Sequence, residues 1–184
     1  MHIIVSVFLC VLVKNYKGLK TFTAGRIVAF LGYSLIFSNI ESLSLKTGLG
    51  SCALVVSTSL ICLGIARFID RKIKLTYVIL YNLTFIILQF YLILLWDEFV
   101  LKATIQSIFQ IVLLNLMIYL LATNPHKGFK ESGRLLMLFF TTIQLVLILR
   151  IIEIIKNPPA SLLAANSPNA LALLFVFIHT YLVS

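Results

Sequence analysis

Two ionisable residues, Arg150 and Glu153, stand three positions apart within the apolar run 135–155. On a helix that spacing puts both side chains on one face, close enough to pair. Charge inside such a run is costly to desolvate and often marks ligand or ion handling. Arg150 lies about five residues from the end of the run, so snorkelling to an interface is the structural alternative. Uncharged amides form a second group: Asn82 and Gln89 at heptad spacing in one run, then Gln106, Gln110 and Asn115 in the next. In hydrocarbon such amides bind neighbouring helices through hydrogen bonds of about 1 kcal/mol each. The functional alternative is a polar cavity that receives a ligand, and Arg150, Glu153, Asn82, Gln89, Gln106, Gln110 and Asn115 are the candidate ligand-binding residues.

Other chemistry is absent from the sequence. There is no HExxH, GxSxG or P-loop pattern, and His2, His126 and His179 stand far apart. Cys10, Cys52 and Cys62 lie in apolar runs without CxxC spacing, which suits buried, inert thiols. The chain therefore reads as a non-enzyme with no cofactor and no metal site.

The elements that must position these residues follow from composition. Of 184 residues, 61% are hydrophobic and only 11% charged, with a mean hydropathy of +1.09. A soluble domain of this size cannot bury that much apolar surface, so the solvent is a bilayer. Backbone groups must then pair within each segment, and runs of about 20 residues without strict alternation exclude a barrel. The expected fold is all-α: one polytopic domain, 1–184, with about seven spans at 2–13, 27–45, 51–68, 75–96, 99–122, 135–155 and 168–184. Thr47-Gly48-Leu49-Gly50 reads as the turn between the second and third spans. Within the third, Gly50, Ala53, Ser57 and Gly64 share one face and mark close helix packing.

Charge orients the bundle. Eleven of the 15 basic residues fall in the segments after the first, third and fifth spans; Lys46, Lys102, Arg150 and Lys156 lie on the other side with Glu41, Asp97, Glu98 and Glu153. The positive-inside bias places the N-terminus outside and the C-terminus in the cytoplasm. The net charge of +9 then suits anionic lipid rather than nucleic acid.

With the spans laid out, the order of features resembles the N-terminal multi-helix membrane sensory region of bacterial GGDEF diguanylate cyclases and histidine kinases. The features are the basic loop Lys14-Asn15-Tyr16-Lys17-Gly18 before Arg26–Phe37, the helix end Leu63-Gly64-Ile65-Ala66-Arg67-Phe68 before Arg71-Lys72, Lys102 opening the fifth helix, Thr123-Asn124-Pro125 after it, and the lone Arg150 in the sixth. The pattern extends over nearly the whole chain. Where that type places an Asn in the third helix this sequence has Ser57 and Thr58, and where a signalling domain follows it reaches Ser184. The resemblance implies a multi-pass protein of the bacterial inner membrane that senses a signal and relays it to a cytoplasmic output domain or partner, with the lipid bilayer and a second copy of the chain as further partners. The competing expectations are a small transporter or channel subunit lined by the amides, and a truncated or scaffold membrane protein without independent activity.

Overall fold

The computed structural model describes residues 18–36, 43–95, 99–123 and 130–156. Among them the fold is all-α, with five helices: α1 Leu19–Ile36, α2 Leu43–Phe68, α3 Leu75–Leu95, α4 Phe99–Ala122 and α5 Lys130–Lys156. The expected spans 2–13 and 168–184 lie outside the described residues, as do Glu41, Trp96, Asp97, Glu98 and the three histidines. Four helical segments are long and apolar enough to cross a membrane: Thr47–Phe68, Leu75–Leu95, Val100–Ala122 and Gly133–Lys156. The chain divides into two compact units, Met1–Glu98 and Phe99–Ser184.

In the first unit, α2 is the central helix: 78% of its most apolar window is buried, against 17% for α3. The break expected at Thr47–Gly50 does not occur; those residues are helical, and α2 starts at Leu43 within the span expected at 27–45. Likewise α1 begins at Leu19, eight residues ahead of its apolar run. The reason is a repeat of small residues on both helices. Gly18, Gly25 and Gly32 recur every seven residues, and so do Gly50, Ser57 and Gly64. The two helices run antiparallel with these sets face to face. A Cβ added at Gly25 would lie 2.9 Å from the Ser57 carbonyl oxygen, and one at Gly32 would lie 3.2 Å from that of Gly50. At Gly64 the added atom would meet Phe22 backbone at 2.8–2.9 Å. Gly25, Gly32, Gly50 and Gly64 thus keep helix geometry while removing the atom that would hold the partner helix away, the use of small residues suited to a solvent that offers no hydrophobic drive.

The C-terminus of α2 is closed by backbone bonds. Arg71 N–H donates to the Ala66 carbonyl (2.8 Å) and Asp70 N–H to that of Arg67 (3.2 Å), with Asp70 in the left-handed region at φ 55°. This is the paired-bond arrangement that satisfies terminal carbonyls, here with Asp instead of the usual glycine. Beyond it α3 buries Phe85, Gln89 and Leu92 along one stripe. Its other faces expose Tyr77, Ile79, Leu80, Leu83, Ile87, Tyr91, Leu94 and Leu95. So large an apolar surface is foreign to a water-soluble monomer and natural to a helix in lipid.

In the second unit α4 packs against α5. The buried apolar side chains are Leu113, Leu114, Met117, Leu120 and Leu121 of α4 and Phe140, Ile143, Val146 and Leu147 of α5. Outward-facing hydroxyls are satisfied locally: Thr141 and Thr142 donate to the carbonyls of Met137 (2.8 Å) and Leu138 (3.0 Å). That back-bonding leaves no bare donor toward hydrocarbon.

Candidate functional site

One buried stripe runs the length of α4, through Ala103, Gln106, Gln110, Leu113, Met117 and Leu120, advancing three or four residues at each step. Its C-terminal half is apolar. Its N-terminal half is polar, because Lys102, Gln106, Ser107 and Gln110 are all buried there. Lys102, Gln106 and Gln110 fall at i, i+4 and i+8, so they form a row about 12 Å long on a single face. Ser107 donates back to the Ala103 carbonyl at 2.8 Å and is thereby used up. The Gln110 carboxamide oxygen, in a residue only 4% exposed, has no hydrogen-bond partner among the described residues, and neither does the Thr104 hydroxyl. A buried acceptor left open in this way costs on the order of 1–3 kcal/mol, so it calls for a compensating role.

The other amides occupy different settings. Asn82 joins α3 to α2: it accepts from the Ser59 hydroxyl at 3.1 Å and donates to the Val78 carbonyl at 2.7 Å. Gln89, one heptad on and 1% exposed, has no partner for its carboxamide oxygen among the described residues. Asn115 lies on the exposed side of α4, accepting from Gln144 of α5 at 3.3 Å and donating to the Ile111 carbonyl at 3.0 Å. The structure therefore brings Gln106 and Gln110 together and sets Asn115 on another face. Arg150 and Glu153 are half-buried and three residues apart in α5, and neither is free. Gly50, Ala53, Ser57 and Gly64 all lie on α2 against α1. Cys52 and Cys62 are buried free thiols, and no cluster of potential metal ligands occurs among the described residues.

No protein-family model, no curated protein and no solved structure matches this chain. Function must be read from the geometry itself.

Lys102 is the member of the row that spacing alone did not single out; as a lone cation at a helix start it reads as an opening residue. The signal that identifies it is its register, one turn before Gln106 and two before Gln110. In the first unit the Ser59–Asn82 bond offers a direct test of the structural role of an amide. A double-mutant cycle with Ser59→Ala and Asn82→Leu, followed by thermal unfolding in nanodiscs, is expected to give a coupling of about 0.6 kcal/mol. Additive effects would show that the bond contributes nothing.

Proposed function

We propose that this chain is a membrane-embedded, receptor-like input module of the bacterial inner membrane, which binds a small polar ligand on the row Lys102–Gln106–Gln110 and relays its occupancy to a cytoplasmic output. The observation that carries the reading is the polar half of the buried α4 stripe, with its open acceptor on Gln110. The row starts one turn inside α4 and continues about 12 Å toward the middle of the span. Lys102 and Gln106 already have partners, so the open group of the row is Gln110 Oε1, which suits a polar ligand that supplies a hydrogen-bond donor there. Binding biases signalling only if two packings of the helices bind the ligand unequally.

The orientation proposed with it has seven spans, the N-terminus outside and the C-terminus in the cytoplasm. The α1–α2 hairpin supports the charge argument for this arrangement. Arg67 donates to the Thr21 hydroxyl at 2.6 Å, so the basic clusters around Lys20 and around Arg71 share one end of the hairpin. That end is cytoplasmic by the positive-inside bias. Lys102 then sits near the outer surface, where a ligand arrives.

The test is a thermal-shift screen of the purified chain in nanodiscs against amino acids, sugars and short carboxylates. One class is expected to raise the midpoint, and Gln110→Leu to abolish that rise. If no class shifts the wild type, the receptor reading fails.

A further inference from the structure

Arg67, Arg71, Lys72 and Lys74 converge where α2 ends and the chain turns into α3. They rim an open cavity of about 300 Å³ whose apolar wall includes Leu63 and Ile73. Residues 71–74 make the connection between two helices that are each long and apolar enough to cross a membrane, so the cavity lies at the depth where acyl chains meet headgroups. Asp70 is the single carboxylate between positions 60 and 80; it and Arg71 both already have partners, and the four cations outnumber it. The shape is held from both sides by groups other than the two lysines: the Arg71 amide is tied to Ala66 and Arg67 is bonded to Thr21.

We propose that this cavity is a binding site for an anionic phospholipid, its phosphate on Lys72 and Lys74 and the start of one acyl chain against Leu63 and Ile73. Charge complementarity selects the phosphate, and the apolar wall selects a lipid over a free anion, because a soluble phosphate gains nothing from Leu63 or Ile73. The site is independent of the α4 row and of the receptor reading. A lipid held there braces the turn that joins the glycine hairpin to α3.

The experiment uses the full chain in phosphatidylcholine bilayers that contain traces of spin-labelled phosphatidylglycerol or spin-labelled phosphatidylcholine. The motionally restricted fraction reports the relative affinity of each lipid. A preference for phosphatidylglycerol of about fivefold per engaged cation is expected, weakening at about 1 M salt. Lys72→Gln/Lys74→Gln, two exposed positions that leave Arg67 and Arg71 in place, should remove most of that preference while the thermal midpoint in phosphatidylcholine alone stays unchanged. Equal restriction of both lipids by the wild type would overturn the proposal. So would an undiminished preference in the double variant. Displacement of the labelled lipid by inorganic phosphate at millimolar concentration would overturn it as well, by making the site one for a soluble anion.

Discussion

Replacement of Gly64 by alanine is expected to lower the thermal midpoint of the protein in nanodiscs by roughly 9 °C, corresponding to about 3 kcal/mol. The atom that would be added at Gly64 faces the nitrogen, Cα and Cβ of Phe22 at 2.8–2.9 Å. Backbone atoms cannot rotate away, so α1 must move as a body. Because Gly18, Gly25 and Gly32 meet Gly64, Ser57 and Gly50 along one seam, a displacement at one end loosens contacts along the rest. The gain in helix propensity on replacing glycine recovers at most about 1 kcal/mol. Gly48→Ala is the matched control. There the new Cβ would meet the Cδ1 end of the Ile93 side chain, which can change rotamer, so the midpoint should move by less than about a third as much. Equal shifts for the two variants would mean that the seam is not what holds α1 to α2.

The second large effect has the opposite sign. Gln110→Leu and Gln89→Leu are each expected to stabilise the protein by about 1 kcal/mol, since each removes a buried carboxamide oxygen without a partner and leaves an apolar side chain of similar size. Of the two, Gln110 stands in the row proposed to take the ligand and Gln89 does not. Gln110→Leu should therefore gain stability and lose the ligand-induced thermal shift together, whereas Gln89→Leu should gain stability and keep the shift. Thermal unfolding of the three proteins with and without ligand separates these outcomes. Destabilisation by Gln110→Leu would place the carboxamide among the structural hydrogen bonds, alongside Asn82.

These predictions rest on features that were unequally legible in the sequence. The ends of α4, Phe99–Ala122, coincide with the run bounded by Asp97-Glu98 and Asn124-Pro125, because charge and proline stop an apolar helix visibly. The ends of α1 and α2 do not follow their apolar runs. Gly48 and Gly50 look like turn residues by the habits of water-soluble chains, but inside a membrane helix they are contact points. The recurrence of Gly50, Ser57 and Gly64 is visible in one helix; its meaning depends on the matching recurrence of Gly18, Gly25 and Gly32, and pairing between segments is a tertiary fact. The amides show the same division. Asn82, Gln89, Gln106, Gln110 and Asn115 are one class by composition, yet one bridges α2 and α3, one bridges α4 and α5, and Gln106 and Gln110 line up with Lys102. Burial sorts them, and burial is not written in residue type.

A receptor built on the polar half of α4, as proposed, receives its ligand without passing it on. The direct test is uptake by proteoliposomes of whichever compound shifts the thermal midpoint, compared with protein-free vesicles and with the Gln110→Leu protein. Saturable binding is expected, with no accumulation inside the vesicles above either control. Accumulation that depends on Gln110 would contradict it and make the same row the lining of a transport path.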